Sequence, residues 1–246
     1  MKKLIFIFCV FGLILNSCED NETVDTTDNP PNDAVFLKST TETYDGEELV
    51  TNFTYLDDKL IEVSDSDGYR EVFIYVDDLL TIIEEYEDDV LDSQTELEYD
   101  SNNRLIKESY SYDSGSVQVN EFTYNSDGTI TMDESGVNTY IYTYNTVGNR
   151  VFEEHVEGDE DYSYTYDTQN NPFRNIHQRE VFELLGRDTY ANNVLSYINS
   201  SSAAFSDDLT SAYSYNASDY PTSGSTVYNQ GTVDQEVVTI QFIYEL

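Results

Sequence analysis

The chain has 246 residues, and its 49 Asp and Glu against 11 Lys and Arg give a formal net charge of −38 at pH 7. Such a charge repels polyanions, so nucleic acid and anionic lipid head groups are excluded as partners. There is no Trp, but there are 22 Tyr and 12 Phe. Both cysteines, Cys9 and Cys18, lie close to the N-terminus, so the rest of the chain must fold without a disulfide.

Residues 1–17 are predicted to be a signal peptide. Lys2 and Lys3 precede an apolar stretch from residue 4 to residue 15, which is too short to span a bilayer, and the small residue Ser17 stands before Cys18. The tetrad LNSC resembles the lipobox of bacterial lipoproteins, in which the Cys is acylated and becomes the N-terminus. We therefore expect Cys18 to carry lipid and to make the membrane a partner of the protein. The alternative is an ordinary secretory signal followed by a chance Cys.

Residues 18–35 are predicted to be an acidic, disordered tether. The segment EDNETVDTTDNPPNDAV contains six acids, two prolines and no base, and it lacks apolar periodicity. Glu19 and Asp20 resemble the signal that sends lipoproteins of Bacteroidetes-type bacteria to the cell surface, so we expect the outer membrane and its outer face. The periplasmic face is the alternative. Without residues 1–17, 9 Lys and Arg stand against 49 Asp and Glu, a charge of −40 over 229 residues.

Residues 36–246 are predicted to form one β domain built from a recurring unit. In each unit, alternating aromatic residues end in Tyr, a polar turn follows and an aliphatic residue resumes the pattern. The six key tyrosines follow one another at intervals of 20 to 25 residues, which is room for one hairpin each: Tyr55, Tyr75, Tyr99, Tyr124, Tyr144 and Tyr166. The alternation places Tyr on one packed face of the sheet and Thr, Ser and Glu on a wet face.

The repeat is interrupted after Tyr166 by the segment NNPFRNIHQREVFELLGR. Pro172 and Gly186 can bound a short helix around residues 181–185, so the segment is predicted to be a cap or an insertion and not a second domain. Strands are expected to resume downstream and to end with VVTIQFIY.

The fold class is therefore all-β: an antiparallel meander of hairpins forming a twisted or curled sheet, with a closed β-barrel as the alternative and one short helical insertion. A barrel that crosses a membrane is disfavoured. It would need strands of about nine to eleven residues with aromatic girdles at both ends, whereas these strands are shorter and carry Tyr throughout.

The Tyr-turn-aliphatic units resemble degenerate YD repeats, the β-hairpin units of Rhs-type surface proteins. The chain also resembles a lipoprotein family of Bacteroidetes-type bacteria, a domain of unknown function with a porin-like β fold. The shared features are the FTY and YTY hairpins and the blocks YDTQNNPFRNI, NNVLSY and YNASDYPTS, over roughly residues 36 to 246. The resemblance implies a fold and no activity. The turns LDDK and VDDL depart from the repeat because they lack Gly.

The sequence contains few residues with recognisable site chemistry. His155 and His177 have no metal-ligand spacing, no GxSxG elbow occurs, and no Cys remains beyond Cys18, so no catalytic residue or cofactor site is predicted. Acidic turns could hold calcium through Asp65 and Asp67 or through Asp159 and Asp161, although solvated turns are the default interpretation and no EF-hand spacing occurs.

Two functions are consistent with these features. The first is a non-catalytic surface module that binds a glycan or another envelope protein. The second is an exported hydrolase that uses paired carboxylates, such as a glycosidase, because that chemistry needs just two acids at a fixed separation. Tyrosines can stack on sugars, but packing in the core explains them more simply.

Overall fold

The computed structural model describes residues 34–112, 115–158, 160–200, 208–232 and 235–245. The predicted signal peptide, Cys18, most of the tether and Asp159 lie outside these residues. Sixteen antiparallel strands form a closed barrel in which each strand pairs with its neighbours in sequence. The strands are β1 Phe36–Tyr44, β2 Glu47–Leu56, β3 Lys59–Asp65, β4 Tyr69–Val76, β5 Leu79–Glu87, β6 Val90–Tyr99, β7 Leu105–Tyr112, β8 Val117–Tyr124, β9 Ile130–Glu134, β10 Asn138–Tyr144, β11 Arg150–His155, β12 Tyr162–Tyr166, β13 Val194–Asn199, β14 Leu209–Tyr215, β15 Pro221–Tyr228 and β16 Glu236–Glu245.

Closure of the sheet corrects the first expectation and confirms its alternative. β1 pairs with β16 from Phe36 opposite Glu245 to Thr43 opposite Thr239, so the twisted or curled open sheet was wrong. The physical reason is that closure removes both unpaired edges of the sheet. The six repeat units and the strands expected after the insertion are present as sixteen strands in eight hairpins, which is enough to close around a wide interior.

The Tyr repeat coincides with the strand ends. Each of the six key tyrosines is the last or next-to-last residue of an even-numbered strand from β2 to β12, and Tyr215 and Tyr244 continue the pattern in β14 and β16. A shift in register precedes most of them, as between Ile74 and Tyr75. Several of these tyrosines donate a hydrogen bond from the hydroxyl to a backbone carbonyl oxygen at or near the start of the preceding strand. The Tyr75 hydroxyl donates to Leu60 O at 3.0 Å, and the Tyr99 hydroxyl donates to Leu80 O at 2.6 Å. The repeat therefore marks one end of the barrel.

The hairpins that lack Gly reverse through aspartates instead. Asp77 and Asp78, between β4 and β5, adopt φ of 50° and 66°. A two-residue turn with both central residues in this left-handed region matches the twist of the flanking strands, and Asp tolerates it better than most residues. Two later turns are longer and place Gly128 and Gly148 at positive φ, with values of 92° and 86°.

The predicted helix is present as α1, Arg179–Leu184, and it is followed by Gly186 with φ of 79°. The amide N–H groups of Gly186 and Arg187 donate to the carbonyl oxygens of Glu183 and Phe182, which ends the helix as Gly at this position commonly does. Within the described residues, no helix has the length and apolarity that crossing a bilayer requires.

The helix belongs to a segment that fills one end of the barrel interior. Residues 167–193, between β12 and β13, are here called the plug. Phe182 of the plug is fully buried, with its ring edge-on to Phe73 of β4 at 5.3 Å, and Phe173 packs in the same way on Phe53 of β2 at 5.2 Å. The expected insertion is therefore the centre of the core, and the tyrosine faces of the strands point inward onto it.

Candidate functional site

The plug is tied to one wall of the barrel by a buried ion pair. Arg150 of β11 donates from Nε to Glu183 Oε1 at 2.7 Å and from Nη1 to Glu153 Oε2 at 2.8 Å. Its guanidinium lies 3.7 Å from the ring centroid of Tyr142, and the Tyr144 hydroxyl donates to the other oxygen of Glu183 at 2.8 Å. Both charges have hydrogen-bonding partners, which a buried ion pair needs in order to offset its desolvation.

A second ion pair ties the plug to another part of the wall. Arg187 donates from Nη1 to Glu71 Oε2 of β4 at 2.8 Å and from Nη2 to the other oxygen, and Glu71 is buried. This bidentate geometry fixes orientation as well as distance. Because β4 and β11 are seven strands apart in a sixteen-stranded barrel, the plug bridges the interior from one side to the other.

Further hydrogen bonds join the plug to hairpin turns at the same end of the barrel. The backbone N–H of His177 donates to the carbonyl oxygen of Asp58 at 2.8 Å, and Gln178 Oε1 accepts from the backbone N–H of Leu80 at 2.7 Å. On the other side, the side chain of Asn149 donates to Asn192 Oδ1 at 2.9 Å. The plug therefore closes one end, and we call the opposite end of the barrel the open end.

A cavity of about 300 Å³ lies between the plug and the wall formed by β1, β2 and β14 to β16. We call it the lumen chamber. Its volume is at the lower end of the range of small-molecule sites. Its lining includes the side chains of Glu42, Asp188, Tyr213, Thr226, Tyr228 and Phe242.

The lumen chamber carries two carboxylates. Asp188 comes from the plug and Glu42 from β1, and burial is the main cause that raises the pKa of each. Asp188 is exposed by its accessible area, but the surrounding wall still desolvates its carboxylate. Burial also raises the pKa of the Tyr228 hydroxyl, and nearby carboxylates raise it further, namely Asp188, Glu42 and Glu236. The chamber is therefore strongly negative.

Gly224 of β15 determines the position of one chamber ring. A Cβ atom at this residue would lie 2.7 and 2.8 Å from two ring carbons of Tyr213 on β14, and 3.1 Å from Ile240 on β16. The Tyr213 ring thus occupies the space that a side chain at residue 224 would need. Gly in a strand often marks such a close approach.

A second cavity of about 420 Å³ lies at the closed end, between α1 and the wall around Leu105 and Ile130. The two guanidinium groups at this cavity are already engaged. Arg104 donates to Asp100 at 2.6 Å, and Arg179 donates to Glu180 at 3.0 Å and to the carbonyl oxygen of Thr189 at 2.7 Å. No charged group is left there to recognise a ligand head group.

The wall towards the open end combines tyrosines with hydrogen-bonded acids. Tyr162 and Tyr197 are stacked at 4.6 Å between ring centroids, and His155 stacks on Tyr140 at 4.7 Å. On the inward face of β7 to β10, side-chain amides donate hydrogen bonds to acids. Asn120 donates to Glu108 at 2.7 Å, and Asn138 and Gln118 both donate to Glu134 at 2.7 Å. These acids therefore have partners, unlike those of the lumen chamber.

The predicted calcium ligands lie in separate turns at the open end. Asp65 Oδ1 accepts the backbone N–H groups of Asp67 and Tyr69 at 2.9 and 3.0 Å, and Asp161 accepts that of His155 at 3.1 Å. The first turn follows β3 and the second precedes β12, half the circumference away. Among the described residues, no three His, Cys, Asp or Glu side chains converge as a metal site. Asp159 is outside the described part, and calcium binding stays a prediction.

Sequence reasoning missed the residues that organise the interior. Glu183 stands in the apolar stretch VFELL, and Arg150 occupies an inward position of β11, so each interrupts a pattern that otherwise predicts burial. A charged residue at a position where the pattern predicts burial was the signal that could have identified both of them. Asp188 and Glu42 carry no such signal, since acids occur throughout the chain.

No family model matches the sequence, and no curated protein matches it. Two crystal structures of proteins described as porin-like are similar in fold. One, from Bacteroides uniformis ATCC 8492, is 12% identical, with 84% of each chain covered and a TM-score of 0.40. The other, from Bacteroides vulgatus ATCC 8482, is 12% identical over 86% of this chain and 99% of that chain, with a TM-score of 0.47.

Both neighbours are described as porin-like, which is also how the fold implied by the sequence resemblance is described. At such low identity and TM-score they carry no argument about the function of this chain. The lipoprotein family, the YD repeats, the lipid anchor and exposure at the cell surface stay predictions.

Proposed function

We propose that this protein is a non-catalytic binding module of the cell envelope, anchored through Cys18 and its tether, and that it holds its ligand inside the barrel. The observation that supports this most directly is the distribution of side chains between the two faces of the wall. Tyrosines and carboxylates line the interior above the plug, where a ligand can contact several strands at once. Because the plug fills one end of the barrel, the interior suits a binding site better than a channel.

The residues on the outer face of the barrel indicate that this face contacts water. Residues opposite one another in a ladder share a face, so the charged residues of four adjacent strands form one outward row: Glu98, Lys107, Glu121 and Asp133. Charges on a lipid-facing strand are destabilising, by about 2 to 4 kcal/mol for Lys near the bilayer midplane. We infer that the barrel does not cross the membrane and that the lipid on Cys18 attaches the protein to the membrane surface.

The chamber carboxylates favour binding over hydrolysis. A glycosidase needs one acid that stays protonated and one that stays ionised, so the environments of its two carboxyls push their pKa values apart. For Glu42 and Asp188 the main cause is the same, since burial raises both pKa values. The hydrolase remains the second candidate because two carboxylates do share one cavity. Turnover of a p-nitrophenyl glycoside that Glu42→Gln abolishes would favour it.

Blocking the lumen tests the binding proposal. Thr226 of β15 faces the chamber, whereas its neighbour Ser225 faces outward opposite Ala212 and Thr239. The full-length protein in detergent would be titrated by calorimetry with soluble oligosaccharides, peptidoglycan fragments and organic amines. Thr226→Trp should abolish binding of any member that binds, and Ser225→Trp should leave it unchanged.

Two results would count against the proposal. If both Trp variants weaken binding equally, the ligand does not enter the chamber. If no member of the panel binds the unmodified protein, binding inside the barrel loses its support.

A further inference from the structure

We propose that the lumen chamber binds an organic ammonium ion, whose positive charge is balanced by the carboxylates of Asp188 and Glu42 and whose apolar body lies against the rings of Tyr213, Tyr228 and Phe242. This inference rests on the proposed function and names the class of ligand. The chamber supplies charge, aromatic surface and room in one place.

The two carboxylates have no side-chain partner among the described residues. Neither Asp188 nor Glu42 accepts a side-chain hydrogen bond from, or forms an ion pair with, any described residue. Other acids deep in the barrel differ, since Glu183 and Glu71 are each paired with an arginine. Leaving a desolvated carboxylate unpaired is costly. A ligand that brings a positive charge would remove this cost.

None of the described cationic side chains is available to take that role. The described residues that line the chamber contain no Lys, Arg or His. Arg150 is the one cation whose charge lowers the pKa of Asp188, and it already pairs with Glu183 and Glu153. The neighbouring Glu236 adds to the negative field at Tyr228.

The rest of the lining selects an organic cation over a metal ion. The wall between the two acids carries aromatic rings and the aliphatic side chains of Val238 and Ile240, which are not metal ligands. Ring faces attract an ammonium group, and the attraction is strongest when the cation is poorly hydrated. Tyr213 is already held in place over Gly224, so its ring needs little ordering when a ligand binds.

The charge also separates this ligand from a neutral glycan. Sugar hydroxyls could donate hydrogen bonds to the carboxylates, but they would leave both negative charges uncompensated. The protein as a whole is strongly negative, which raises the local concentration of cations. A positively charged nitrogen therefore fits the chamber better than a hydroxyl of the same size.

The test compares 2-phenylethylammonium with 2-phenylethanol, which has the same ring and chain but no charge. Calorimetry on the full-length protein in detergent should show binding of the ammonium ion at least tenfold tighter than binding of the alcohol. Asp188→Asn and Glu42→Gln should each weaken ammonium binding at least tenfold. The control Glu96→Gln removes the same charge from the outer face of β6 and should change the affinity less than twofold.

A dependence on pH gives an independent readout. Because burial raises the pKa of both chamber carboxyls, they take up protons at higher pH than ordinary acids, and ammonium binding should weaken as the pH falls from 7 towards 5. In Asp188→Asn this loss of affinity should be smaller. Circular dichroism of each variant would establish that the barrel is folded.

Three outcomes overturn the inference: equal affinity for the alcohol and the ammonium ion, no binding of the ammonium ion, or equal weakening by Glu96→Gln. The proposed function fails separately. If a neutral oligosaccharide binds and Thr226→Trp blocks it while the ammonium ion does not bind, the protein is a lumen-binding module and the cation inference alone is wrong.

Discussion

The buried pair between Arg150 and Glu183 should be the strongest polar connection between wall and plug. Glu183 is 3% exposed and the Arg150 side chain is 7% exposed. Glu183→Gln keeps the size of the side chain and removes its charge, which leaves the guanidinium buried with Glu153 as its remaining carboxylate. Breaking a buried pair on one side costs about 3 to 5 kcal/mol. Because Glu153 stays, we expect about 3 kcal/mol.

A double-mutant cycle separates the pair from its surroundings. Arg150→Met and Glu183→Leu are made singly and together, and the double variant replaces both charges of the pair by apolar groups. The double variant still leaves Glu153 and the Tyr144 hydroxyl without these partners, so we expect it to be less stable than the unmodified protein but to lose less than the two single variants together. Equilibrium unfolding in urea, followed by circular dichroism, gives the free energy of unfolding and its denaturant dependence for each protein.

The exposed pair Lys107–Glu98 is the matched control, with a similar N···O distance of 2.6 Å. Glu98→Gln should cost about 1 kcal/mol or less, because an exposed pair contributes little. The reasoning is refuted if Glu183→Gln costs no more than Glu98→Gln. It is also refuted if the losses of the single variants simply add in the double variant, since the two charges would then be energetically independent.

Phe182→Ala should lower the free energy of unfolding in urea by about 3 to 5 kcal/mol, because the ring is fully buried in the plug. Val147→Ala in an exposed turn should change it by about 0.5 kcal/mol or less. Similar losses of stability in the two variants would place the plug outside the core. The midpoint of urea unfolding should rise as the pH falls from 7 to 5. Burial raises the pKa of the carboxyls of Glu42, Glu108 and Asp188, so the folded protein binds more protons there than the unfolded chain does. A midpoint that falls with pH would contradict this. Fatty-acid labelling should tag the expressed protein and should disappear in Cys18→Ala; a surviving tag means that the lipid is elsewhere. A few millimolar calcium should raise the melting temperature no more than magnesium does, since Asp65 already accepts two backbone N–H groups; a calcium-specific rise that Asp65→Asn removes would make this turn a metal site.

Local patterns in the sequence determine much of the wall. Alternation with a period of two decides which face of a strand is apolar, so the inward direction of Tyr140, Tyr142 and Tyr144 could be predicted without knowing what they contact. Turn residues and the helix stop at Gly186 are equally local, because they depend on φ at single positions. These features were predicted correctly, together with the all-β class and one short helix.

Tertiary structure alone decided that the sheet closes and that the insertion lies inside it. Closure depends on pairing between β1 and β16, which are about 200 residues apart, and on the accumulated twist and stagger of all sixteen strands. No short window of sequence encodes that sum. The last two hairpins lie downstream of the plug and outside the six repeat units, although Tyr215 and Tyr244 continue the Tyr pattern in β14 and β16.

The candidate site was beyond sequence reasoning for a related reason. Glu71 meets Arg187 across 116 positions, and Asp188 shares a cavity with Glu42 only because the plug crosses a closed barrel. With 49 acids in the chain, composition cannot distinguish a solvated carboxylate from one that is desolvated and unpaired. That difference arises from the surrounding wall, because burial and the distance to a compensating charge determine the energy of a carboxylate.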